Sequence, residues 1–301
     1  MSPAEPSAGN GARWNAVFVI LAVAFASLLY QVILRKKMEQ TALLFIGIPT
    51  ALAVLVAMTP KAKTVTGGIL KAMTIGLLMA APLLGEGFIC ILMASPIFFV
   101  VGVFIGKLID LSRRENKRTT MAGMLLLAFL PMSFEGTSER LSFPREETVA
   151  VERVVAASAD EVGRALAAPL PMDESLPMFL RAGFPRPVGA EGKGLLVGDQ
   201  RTIHFAGGEG LPGDLVLEVA AMGEGFARFR LVSDQSMIAH WLTWRSSEVR
   251  WTALDRTHTR VTWTLSYRRN LDPAWYFGPW ERYGVGLAAE HLIRASATPH
   301  E

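Results

Sequence analysis

Thr259-Arg260-Val261-Thr262-Trp263-Thr264-Leu265-Ser266-Tyr267 puts Val261, Trp263, Leu265 and Tyr267 on one side of an extended chain and Arg260, Thr262, Thr264 and Ser266 on the other. A period of two with one apolar side is the pattern of a half-buried antiparallel strand. Similar alternation recurs over residues 148–155, 199–206, 214–220, 226–232 and 247–254, between clusters of Gly, Pro, Asp and Ser, and predicts a six- or seven-stranded meander. After the first of these runs, Ser158 stands where a helix through Ala168 needs its N-cap, with Glu161 at the capping-box position. Beyond the last run, residues 273–297 read as a long helix. Phe277, Trp280, Gly284, Leu287, Ala288, His291 and Leu292 form its expected apolar stripe.

Upstream of residue 135 the pattern changes. The chain has 301 residues, 51% hydrophobic and 19% charged, and its charge is sorted along its length. The first 134 residues hold 12 of the 30 Lys and Arg but 5 of the 27 Asp and Glu, net +7; the remainder holds 18 and 22, net −4. A basic-flanked membrane region joined to a water-soluble domain accounts for both halves, and leaves the basic residues as membrane flanks rather than a nucleic-acid footprint. About five spans are expected: residues 14–34, 41–59, 65–84, 88–106 and 119–134. Lys71 lies near the start of the third span, where its side chain can snorkel to the interface. The fifth span has 16 residues, about 24 Å of helix against a hydrocarbon core of about 30 Å, so it either thins the bilayer or lies on it.

The basic loops at Lys61–Lys63 and Lys107–Arg118 fall on one side and predict a multi-pass inner-membrane protein with an extracytoplasmic C-terminal domain; Arg35, Lys36 and Lys37 would face outward against the rule. Residues 135–147 read as a linker and 148–301 as the soluble domain. Glu86, between Gly85 and Gly87 at the tip of the third and fourth spans, is the membrane-hairpin candidate. It is either a turn residue or a buried carboxylate paired with Arg35, Lys36 or Lys37.

One strand, two small helices, a run of antiparallel strands and a long closing helix resemble the helix-grip fold of the START-like SRPBCC superfamily, over residues 146–297. Two local words carry the resemblance. Val151 to Leu166, V-E-R-V-V-A-A-S-A-D-E-V-G-R-A-L, is similar to the superfamily's entry strand and first helix, with Gly163 where an aromatic is usual. R-V-T-W-T-L-S-Y from Arg260, followed by L-D-P-A-W-Y-F-G-P-W from Leu271, is similar to its last strand passing into the closing helix. With G-E-G-F-I-C-I-L-M-A-S-P from Gly85, the whole chain resembles bacterial membrane proteins that carry such a domain. The fold class expected is therefore a helical transmembrane region followed by an α+β helix-grip domain.

The resemblance implies a space between sheet and closing helix that holds an apolar molecule. Trp241, Trp244, Trp251, Trp263, Trp275, Tyr276, Trp280 and Tyr283 fall within 43 residues and either line that space or fill a core. Trp275, Tyr276 and Trp280 could instead anchor the domain at a membrane interface. Ligand-binding candidates are Arg201, His204, His240, Trp244, Trp251, Trp263, Tyr276 and Trp280, with Arg245 beside His240. Arg201 and His204 are three apart, so on a regular strand only one of them faces inward. His291 reads as a core histidine on the helix stripe.

No H-E-x-x-H, G-x-S-x-G or Walker lysine loop occurs, and Gly208-Glu209-Gly210-Leu211-Pro212-Gly213 is a hairpin loop rather than a nucleotide site. Cys90 is the only cysteine, which excludes an intrachain disulfide and any multi-cysteine metal site; neither metal nor cofactor is expected. The leading function is membrane-tethered, non-catalytic binding or transfer of a hydrophobic small molecule or lipid. One alternative is a membrane-bound cyclase, dehydratase or aromatase acting on a polyketide-like or isoprenoid substrate, with Arg201, His204 and His240 as its proton-transfer groups. Another is a structural or regulatory subunit whose domain binds a protein partner.

Overall fold

Predominantly apolar runs in the first third become the helices α1 (Ile48–Met58), α2 (Val65–Leu84) and α3 (Phe88–Arg114). The computed structural model describes residues 14, 16–22, 24–25, 48–60, 62–84, 88–114, 134–171, 175–181, 184–206 and 212–297, in two compact units, Met1–Pro131 and Met132–Glu301. Within the first unit α2 and α3 form the most extensive helix pair. Gly102 and Gly106, four apart on α3, permit the approach: a Cβ at Gly106 would stand 2.5 Å from the Thr66 Cα, and one at Gly102 would meet the Met73 sulfur. Small residues at this spacing are how helices come close in lipid.

Asp110 of α3 reaches across to the exposed N–H groups that begin α2, accepting from Val65 N at 2.8 Å, Thr66 N at 3.0 Å and the Thr66 hydroxyl at 2.7 Å. Lys71 is engaged rather than free to snorkel. Its Nζ donates to the carbonyls of Ala57 and Thr59, where the C-terminal end of the α1 dipole favours a cation. Val17, Ile20 and Ala24, at helical spacing, pack against Ala53, Ala57 and Met79.

Among the described residues, one helical stretch, Cys90–Leu111, is long and apolar enough to cross a membrane, and Val65–Ala80 is a shorter apolar helix. One candidate span is thus found where about five were expected. Residues 14–34 and 41–59 are described only in part, α3 runs eight residues past the expected end of the fourth span, and residues 119–133, Glu86 and Arg35–Lys37 lie outside the described residues.

The second unit is a seven-stranded antiparallel sheet: β1 (Glu146–Val155), β2 (Arg186–Glu191), β3 (Gln200–Ala206), β4 (Gly213–Gly223), β5 (Phe226–Asp234), β6 (Leu242–Ala253) and β7 (Thr259–Arg269). The spatial order is β1-β7-β6-β5-β4-β3-β2, so β2 to β7 form a meander and β1 closes against its last strand. Every second residue of β7, from Thr259 to Arg269, is buried. β2 escaped the sequence reading because Pro187 and Gly189 break its alternation, and a register shift falls between them. β6 begins earlier than expected because a shift between Trp244 and Ser246 interrupts its period.

Between β1 and β2 lie α4 (Ala159–Ala167) and α5 (Met178–Arg181). The Ser158–Glu161 capping box is complete, satisfying two otherwise unpaired N–H groups and contributing about 1 kcal/mol. The closing helix α6 (Ala274–Ala297) packs across β1 and β7 and against α4. Its buried positions include Gly278, Glu281, Val285, Ala289 and Ile293, one residue round from the expected stripe, and Ala295, Ser296 and Ala297 at its end. The small Gly278 and Ala289 let the backbone approach the sheet, while Trp280 turns aside and stays 39% exposed. Ala288 and Leu292 keep partial contact with the core.

Val162 and Leu166 of α4 join Val219, Val249, Val261, Val285 and Ile293 in one apolar cluster. The other face of the sheet carries exposed ion pairs, including Arg230–Glu218 and Arg260–Glu152, of small individual worth. Residues 135–145 lie on the domain: Glu135 accepts from Ala274 N at 2.8 Å, at the positive end of α6, and Arg145 pairs with Asp272.

Candidate functional site

The aromatic residues divide into three groups. On the helix-covered face of the sheet, Trp263 is 5% exposed and its indole N–H donates to Ser247 Oγ at 2.8 Å. Trp251 on the same face lies over α4, where a Cβ added at Gly163 would sit 3.6 Å from its Nε1. The space over Gly163 is thus bounded by a ring reaching across from β6. Trp244 pairs directly with Tyr267 across β6 and β7, ring centroids 6.2 Å apart and nearly edge-on. Neither Trp244 Nε1 nor the Tyr267 hydroxyl has a hydrogen-bond partner among the described residues, although both are buried.

A second group gathers around Phe179 of α5, which stacks on Trp280 at 6.3 Å and meets Tyr283 and Phe184 at 5.1 Å each; Phe184 in turn meets Trp241 at 5.3 Å. At the start of α6, Tyr276 packs edge-on between Trp275 and Phe277, and burial pushes its hydroxyl pKa up.

The polar candidates do not come together. Arg201 is buried on the helix-covered face, but its Nη2 donates to the carbonyls of Leu166 and Gly194, tying the end of α4 to the loop before β3, and its guanidinium lies over the Phe229 ring. Burial holds its pKa below the usual arginine range. His204 is on the opposite face, its Nδ1 2.7 Å from Asp214 and its Nε2 3.5 Å from Glu191; the Asp214 hydrogen bond raises its pKa. His240 is exposed on the turn Met237–His240. Arg245 is on the outer face, paired with Glu146 at 3.0 Å. The described residues contain no group of three or more His, Cys, Asp or Glu placed to hold a metal ion.

Sequence reasoning missed Glu281, Tyr267 and Arg269. Glu281 is 9% exposed and neither carboxylate oxygen has a hydrogen-bond partner among the described residues. Burial, with Glu147 and Asp272 nearby, pushes its pKa up to about 8 against the opposing pull of Arg269 and Arg282. Tyr267 is fully buried, and its hydroxyl pKa is pushed well up by burial and by Glu281 and Glu147. Arg269, also fully buried, donates through Nη1 to the Leu271 carbonyl and to Asp272 at 2.6 Å, while Nε and Nη2 have no partner among the described residues. The available signal was spacing: Glu281 is four residues from both Phe277 and Val285, on the core side of a helix.

A continuous antiparallel run from β2 to β7, β1 closing on β7, two short helices after β1 and a long helix across β1 and β7 together decide the architecture. The second unit is a helix-grip domain. No family model matches the chain, and no curated protein matches it. Solved structures similar to it include a START superfamily protein from Mycobacterium smegmatis, 17% identical, covering 49% of this chain and 92% of that one, with a TM-score of 0.35. Norcoclaurine synthase from Thalictrum flavum is 14% identical, with coverage of 50% and 85% and a TM-score of 0.35. Ginseng major latex-like protein 151 from Panax ginseng is 14% identical, with coverage of 52% and 99% and a TM-score of 0.34. Likenesses of this size leave the helix-grip reading to the strand order and the closing helix themselves.

Proposed function

We propose that the helix-grip domain binds an apolar small molecule or lipid between its sheet and α6. The observation that carries this is the contrast between two tryptophans on one face. An indole that merely fills a core finds a hydrogen-bond partner, as Trp263 does in Ser247. Trp244, equally part of the covered face, has none among the described residues, and neither does Tyr267 beside it. Aromatic surface with unpaired polar tips is the lining that a mostly apolar ligand with a polar group requires.

Titrating the full chain in detergent with N-phenyl-1-naphthylamine, a neutral apolar fluorophore, tests the reading. Saturable one-to-one binding, weakened by Trp244→Ala, is expected. Binding no greater than that of empty micelles would refute it.

The membrane tether is part of the proposal. Support comes from Cys90–Leu111 and from the broad apolar exposure of Phe18, Phe25, Leu55, Phe98 and Val100, which a helical unit in water would bury. On this reading the first unit is a multi-pass inner-membrane anchor of about five spans and the domain is extracytoplasmic. Protease added to the periplasmic side of spheroplasts should digest the domain; digestion only from the cytoplasmic side would reverse the assignment. The cyclase reading draws no support from Arg201, His204 and His240, which occupy three separate environments.

A further inference from the structure

Six buried polar atoms without a partner among the described residues, on Trp244, Tyr267, Arg269 and Glu281, lie toward one end of the covered face. Trp244 and Tyr267 are cross-strand partners, Arg269 follows two residues along the same face of β7, and Glu281 lies on the buried stripe of the helix packed over that strand. Tyr267 and Arg269 are fully buried and Glu281 is nine-tenths buried, yet the hydroxyl, both carboxylate oxygens and two guanidinium nitrogens lack partners among the described residues. Burying such groups unpaired is costly, so their retention calls for a partner. We infer that Trp244, Tyr267 and Glu281 are the polar end of the ligand site and take an uncharged carbonyl or hydroxyl oxygen on an otherwise apolar molecule. This rests on the binding reading above and adds the chemical class of the ligand.

The charges around the cluster select against ionic ligands. Asp272 is shared by Arg145 and Arg269, and Glu147 holds Arg282 at 3.0 Å, so each of these fixed charges already has an opposite charge in contact. A carboxylate would meet Glu147 and Asp272 and would have to share Arg269 with Asp272, and an ammonium would meet Arg269 and Arg282 with no unpaired carboxylate to receive it. An uncharged oxygen can accept from the indole N–H, the phenol and a protonated Glu281, and a hydroxyl can also donate to the carboxyl. Burial keeps Glu281 mostly protonated at neutral pH, which supplies that donor.

Displacement of N-phenyl-1-naphthylamine from the full chain in detergent by decan-2-one, decanoate or decylamine is the test, with each competitor corrected for its micellar partition. At pH 7 decan-2-one should compete best. Tyr267→Phe and Glu281→Leu should weaken its competition about tenfold, and Glu281→Gln, which keeps a donor and an acceptor, should retain it. At pH 9 the wild type should lose the preference and Glu281→Gln should keep it. The ionisable groups bearing on that arm are Arg145 and Glu147 from β1 and the segment before it, Tyr267, Arg269 and Asp272 from β7 and the segment after it, and Arg282 from α6; the charged residues of α4 (Asp160, Glu161, Arg164) and of α5 (Arg181) are exposed.

Reporter binding with all three competitors equal, or with decanoate or decylamine preferred, overturns this inference and leaves apolar binding standing. Variants that change nothing, as they would if water alone met these groups, overturn it in the same way. Failure of the reporter to bind overturns both.

Discussion

The two ends of the covered face of the sheet use the same residue types differently. Toward α4, Trp263 is bonded to Ser247, Trp251 fills the space over Gly163, and Arg201 spends its Nη2 on two carbonyls. Toward the first half of α6, Trp244 Nε1, the Tyr267 hydroxyl, both Glu281 oxygens and Arg269 Nε and Nη2 are buried atoms without partners among the described residues. One end holds the domain together, and the proposed ligand site is assigned to the other. Burial alone does not separate these ends; they differ in how many buried polar atoms lack a partner, Arg201 Nε at the first against six atoms at the second.

The largest expected effect lies at the packed end. Leu166→Ala, at a side chain 1% exposed, should cost about 2–5 kcal/mol through lost burial and a residual cavity, read as a lower thermal midpoint in near-ultraviolet circular dichroism. A loss below about 1 kcal/mol would mean that this end is loosely packed too.

Next comes the pH dependence of the other end. Glu281 keeps its proton to about pH 8 in the folded chain but releases it above its ordinary 4.5 when unfolded. Between these values the folded state binds more protons, so stability falls as pH rises from 5 to 8, by on the order of 3 kcal/mol. Glu281→Gln should flatten that slope and be the more stable protein at pH 8. An unchanged slope would place the carboxylate in water.

A smaller effect separates the two indoles directly. Trp263→Phe leaves Ser247 without its donor and should cost about 1–2 kcal/mol more than Trp244→Phe, which breaks no bond among the described residues. Equal costs would erase the distinction. Smallest of all, Gly163→Ala should be neutral or stabilising by under about 1 kcal/mol, since its new methyl meets the Trp251 ring at ordinary contact distance and alanine favours the helix.

The packed end was legible in sequence because its signals are local. The alternation of Thr259 to Tyr267 and the Ser158–Glu161 capping box each lie within a few consecutive residues, and both occur as read. The open end was hidden for a related reason. A charged residue is normally assigned to the solvent side of a helix, so the stripe on α6 was drawn through Phe277 and Trp280, although its buried line runs through Gly278 and Glu281. Trp244 is set one step out of its strand's period by the register shift before Ser246, which made β6 seem to begin at Ser247. The histidines drew attention as proton-transfer groups, but His204 faces outward and His240 is exposed, as strand parity and a turn dictate.

Native mass spectrometry of the full chain released from mild detergent, with solvent extraction of the same sample, tests the central claim most directly. The account predicts an apolar molecule bearing a carbonyl or hydroxyl group, bound one per chain and depleted in Tyr267→Phe and Glu281→Leu but retained in Trp263→Phe. A bare chain mass, with nothing extracted beyond bulk lipid and no difference among the three variants, would contradict it.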